Sequence, residues 1–92
     1  MCTNIAEFRK YLTDSNFSRY TIKIGKTIKV ICDSAYVYLA PDSLFFKNDD
    51  GNSVFLEYVR GIKYDETISG CKVRVIYGVF KEKHAEIICE HT

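Results

Sequence analysis

Hydrophobic residues recur along this chain with two different periods. Ile5, Phe8 and Leu12 fall at i, i+3 and i+7, one face of a helix, while Glu7, Arg9 and Lys10 lie off that face. Asn4 followed by Glu7 has the spacing of a capping box, and Thr13-Asp14-Ser15-Asn16 supplies residues that prefer caps and turns. A helix of about nine residues is too short to persist alone in water and has to pack on something.

From Tyr20 onward the period falls to two, as expected of half-buried strands. Tyr20, Ile22 and Ile24 alternate with Thr21 and Lys23, and Ile28, Val30 and Cys32 follow Gly25-Lys26. Glycine at the first central position predicts a two-residue type II′ hairpin between strands near 20–24 and 27–32. Asp33-Ser34 marks a turn, 35–39 reads as a third strand, and Pro41-Asp42-Ser43 interrupts it. The runs 44–47 and 54–59 flank a polar loop at 48–52, the clearest hairpin in the chain. Gly61 is placed to bend or bulge the chain before Ile62, 65–70 reads as a turn, and Cys71, Val73, Val75, Tyr77 and Val79 form the longest clean alternation. In the last segment, 81–92, Ala85, Ile87 and Cys89 alternate with Glu86 and Glu90 as in an edge strand, although Lys81 to Glu86 is also good helix material. These elements predict an α+β domain: a short N-terminal helix followed by a strongly curved antiparallel sheet or small open barrel of six to seven strands.

Composition narrows the class. Ninety-two residues, 47% hydrophobic and 14% aromatic, suit a single folded domain spanning 1–92. The stretch from Met1 to Leu12 is too charged for a secretory signal, and no uncharged apolar run reaches the roughly 18 residues of a membrane span, so a soluble, cytoplasmic protein is expected. Thirteen Lys and Arg against twelve Asp and Glu give no general basic excess for a phosphate backbone. Few Pro, no Trp and many Ile, Lys and Tyr suggest an AT-rich coding sequence, as in a low-GC bacterium or its mobile elements. Cys2, Cys32, Cys71 and Cys89 contain no Cys-x-x-Cys knuckle and read as reduced, mostly buried thiols.

Candidate chemistry is sparse. Gly25-Lys26-Thr27 matches the tail of a phosphate-binding loop, but Tyr20 stands where its first glycine belongs and strand-like residues follow instead of a helix. His84, Cys89 and His91 lack the further ligands of a closed metal site. Asp49-Asp50 and Asp65-Glu66 fall in turns, where no desolvation raises a carboxyl pKa for acid–base work. The expectation is no enzyme, no metal and no cofactor.

What is left is aromatic and basic residues on predicted strands. Tyr36 and Tyr38 share a face, and Lys72 and Arg74 point outward from theirs, so these four are the candidate partner-binding residues. The leading expectation is a small non-enzymatic binding protein acting through a protein–protein interface, in the manner of an inhibitor or regulator from a phage or mobile element, for example anti-CRISPR-like. One alternative is an RNA or single-stranded DNA binding module using the basic and tyrosine residues of the sheet. Another is a structural homo-oligomer subunit that pairs its sheet edges.

Overall fold

A computed structural model describes residues 4–91; Cys2 lies outside them. One helix, α1 (Ile5–Ser15), precedes eight strands: β1 (Arg19–Ile24), β2 (Ile28–Cys32), β3 (Ser34–Leu39), β4 (Asp42–Lys47), β5 (Ser53–Glu57), β6 (Val59–Thr67), β7 (Gly70–Tyr77) and β8 (Lys83–Glu90). All pairings are antiparallel. They build a five-stranded sheet in the order β2-β1-β8-β7-β6 and a three-stranded sheet in the order β3-β4-β5.

The helix starts where the capping pattern places it. The Asn4 side chain accepts a hydrogen bond from the Glu7 amide at 2.8 Å, satisfying one of the free amides of the first turn. It ends at Asn16, whose left-handed backbone (φ 52°) lets its amide reach the Leu12 carbonyl. Ile5, Phe8 and Leu12 are buried, as their spacing requires. Phe8 and Tyr11 pack on Tyr64 of β6, with ring centroids 5.9 and 4.3 Å apart.

One core lies between the two sheets. Ile22, Cys32, Val73, Val75, Ile87 and Cys89 fill it from the larger sheet, and Leu44, Phe46, Val54 and Leu56 from the smaller. Tyr20 and Phe46 meet across the gap at 5.6 Å. The chain leaves the larger sheet at Asp33 and returns at Tyr58, a non-glycine residue with φ 57°. Because α1 packs against β3 and β6, edge strands of different sheets, the two sheets stay open and no barrel forms.

Several local expectations change with this arrangement. The strands number eight because Gly61 sits beside a bulge inside one long β6, which continues through Asp65 and Glu66 to a turn at Ile68-Ser69. The first hairpin has three loop residues, Gly25, Lys26 and Thr27, because Ile24 pairs with Ile28. Gly25 (φ 65°) supplies the left-handed conformation there. Residues 83–90 are no edge strand: β8 sits between β1 and β7, at the centre of the larger sheet.

Candidate functional site

Antiparallel register decides which side chains meet on the solvent face of β3-β4-β5. The five-residue loop 48–52 pairs Lys47 with Ser53, which brings Phe45 opposite Phe55. Tyr36 in turn lies opposite Phe45. Tyr36, Phe45 and Phe55 therefore form one column across the whole sheet, with centroids 6.1 and 5.9 Å apart. Directly opposed rings at this range attract beyond their buried area.

The neighbouring column reads Tyr38, Ser43, Glu57. Ser43 is small and fully buried, its hydroxyl donating to the Pro41 carbonyl at 2.8 Å. Over it the Tyr38 and Phe55 rings meet edge-on at 6.3 Å. On the other side the column is Ser34, Lys47, Ser53, and the Lys47 ammonium stands 5.5 Å from the Tyr36 ring centre, a cation–π contact. Four rings thus occupy the middle of a face whose charged rim is one lysine and one glutamate.

Three of the four rings are exposed, and Phe45 between them is partly buried. Tyr36, Tyr38 and Phe55 are 43, 47 and 49% exposed, although their opposite-facing neighbours Leu44, Phe46 and Leu56 are buried. Beyond Glu57 the surface continues into a hollow of about 380 Å³ lined by Phe55, Tyr58, Val79 and Phe80 together with Lys81 and Lys83. Phe80 is fully exposed. Tyr58 holds its left-handed backbone here, a conformation that costs a non-glycine residue roughly 1–3 kcal/mol and concentrates at functional sites.

Of the four residues singled out from sequence, the structure joins Tyr36 and Tyr38 and separates them from the other two. Lys72 and Arg74 lie on the solvent face of the five-stranded sheet, where Lys72 pairs with Glu86 at 3.4 Å. Phe45 and Phe55 complete the aromatic face, and alternation alone does not single them out. A usable signal is the five-residue loop: joining two strands with one buried face, it fixes which residues oppose each other.

The thiols belong to the core. Cys32, Cys71 and Cys89 are unpaired and buried. Cys71 and Cys89 are direct cross-strand partners. A hydrogen bond with Cys89 pulls the Cys71 thiol below its ordinary pKa, and the same bond, together with burial, pushes Cys89 up. His84 is exposed on β8 while Cys89 points inward, and His91 packs on Phe17 at 4.7 Å. Among the described residues no three metal-ligating side chains come together.

No family model matches this chain, and neither a curated protein nor a solved structure matches it.

Proposed function

We propose that this is a small non-enzymatic binding domain that acts through a protein–protein interface, and that the solvent face of β3-β4-β5 is its contact surface. What carries the reading is the aromatic column Tyr36–Phe45–Phe55, exposed at both ends, with exposed Tyr38 beside it. Rigid aromatic side chains ringed by a few polar groups are the usual anchors of protein interfaces. An inhibitor or regulator that works by occupying a partner's surface fits this arrangement. A single-strand stacking platform needs cations tracking the backbone beside the rings; among the described residues Lys47 is the one cation beside them, offset by Glu57, and Lys81 and Lys83 lie apart from them in the hollow beyond Glu57.

The test is capture from nuclease-treated host lysate, comparing the native chain with a Tyr36→Ala/Phe55→Ala variant, with partners identified by mass spectrometry. A specific protein retained by the native chain and lost by the equally stable variant is the expected result. Protein recovery that the double change leaves untouched, or nucleic-acid-dependent recovery that the double change abolishes, refutes the assignment of this face.

A further inference from the structure

The solvent face of the five-stranded sheet carries a second, differently built surface. Lys29 pairs with Lys23 across β2 and β1, Lys23 with Glu86 of β8, Glu86 with Arg74 of β7, and Arg74 with Lys63 of β6. These five residues form a single row across every strand of the sheet. At about 4.8 Å per strand the row is roughly 19 Å long. It holds four cations and one carboxylate, an excess of three positive charges in a chain whose net charge is +1.

The row contains two like-charge pairs set directly opposite each other, Lys29–Lys23 and Arg74–Lys63, an arrangement that destabilises a sheet. Its one carboxylate offsets them only at Lys23. Glu86 is engaged by Lys72 at 3.4 Å and by Lys23 at 4.0 Å, while Lys29, Lys63 and Arg74 form no ion pair among the described residues. The rows on one side of it are balanced: in the next row Lys72 lies opposite Asp65, and in the row after that Arg19 bridges Glu90 at 3.1 Å. Between Lys23, Lys63 and Arg74 the surface sinks into a hollow of about 650 Å³ with Gly61 and Ile76 in its lining.

We infer that this row binds an extended polyphosphate, the backbone of single-stranded nucleic acid, lying across the strands. A single phosphate cannot touch both ends of so long a row. A chain of phosphates meets both like-charge pairs and removes their repulsion. With no Phe, Tyr or Trp beside it among the described residues, and only His84 as a ring in the adjoining hollow, the row grips the backbone.

The test uses fluorescence anisotropy of a labelled twelve-nucleotide oligothymidylate on the full chain. Expected is binding at 50 mM salt that weakens at 200 mM. Lys63→Glu should lower affinity at least fivefold and make the dependence of log K on log salt shallower by about 0.7 for each phosphate no longer neutralised. Because it turns a repulsive pair into an attractive one, Lys63→Glu should hold or raise the melting temperature. Glu86→Gln should tighten binding severalfold. Absence of binding at 50 mM salt overturns the proposal, as does unchanged affinity in both variants or a Lys63→Glu protein that melts several degrees lower. Equal competition by poly-glutamate of matched charge overturns the choice of phosphate and points to an acidic protein segment.

Discussion

Gly25 and Gly70 stand at strand ends for opposite reasons. A side chain at Gly25 would meet open space, and the restriction there is its φ of 65°. At Gly70 the backbone is unremarkable in φ, but a Cβ would overlap the Cys89 carbonyl oxygen of the adjoining strand. Gly25→Ala is expected to cost about 1–2 kcal/mol, the left-handed penalty. Gly70→Ala should exceed the ~1–3 kcal/mol usual for overpacking, because strand backbone has to move. Urea unfolding of the two variants measures the difference, and equal costs would show that the β7–β8 pair yields easily. Titration offers a second residue-scale test. Burial, with Cys89 and Cys71 nearby, pushes the Tyr20 hydroxyl from 10.0 up to about 12. Burial and a hydrogen bond to Cys71 move Tyr11 the same way. The folded state therefore holds these protons more tightly than the unfolded chain. Their contribution is fully present below pH 10 and is lost as pH rises from there through the folded pKa values. Circular dichroism against pH should show stability falling above about pH 10, and a Tyr20→Phe variant should lose less over that range.

At the scale of elements, α1 illustrates how a local pattern becomes a tertiary role. Its cap and its apolar stripe lie within a dozen residues, so both are readable before any packing is known. Asn4→Ala is expected to cost about 1 kcal/mol by freeing the Glu7 amide. Phe8, fully buried against Tyr11 and Tyr64, should cost about 3–5 kcal/mol as alanine. Chemical denaturation checks both, and a Phe8→Ala effect near that of Asn4→Ala would mean that the helix merely lies on the sheets. The strand β8 behaves in the opposite way. Its alternation of Ala85, Ile87 and Cys89 identifies the buried face, but a neighbour far away in sequence, β1, makes it central by pairing on the side opposite β7.

For the molecule as a whole, the two sheets share a core and present unlike outer faces, one aromatic and nearly neutral, the other cationic. Neighbouring phenylalanines distinguish core from face. Phe46 points inward and is 1% exposed, so Phe46→Ala should cost about 3–5 kcal/mol. Phe55 is half exposed and should cost under about 1 kcal/mol as alanine, while weakening partner capture. Thermal melts of the pair decide this: a Phe55→Ala protein as unstable as Phe46→Ala would place the aromatic column in the fold's own stability and remove it as a contact surface.

Periodicity and turn chemistry act over a few residues, and what they control was legible in the sequence by itself: the helix and its cap, the strand faces, the loop at 48–52, the buried thiols, and the shared face of Tyr36 and Tyr38. The hairpin partners β1–β2 and β4–β5 were legible too, but tertiary structure alone decided how the hairpins were assembled into sheets. That choice depends on contacts between residues far apart in the chain, with Arg19 beside Glu90 and Asp33 and Tyr58 carrying the chain from sheet to sheet. It divided one expected curved sheet into two, moved the last strand from the edge to the centre, and set Lys72 and Arg74 on a different face from the tyrosines. The long-range β1–β8 pairing joined Lys29 and Lys23 to Glu86, Arg74 and Lys63 in one row. Alternation along a strand says which side a residue faces. Only the pairing of strands says what stands next to it.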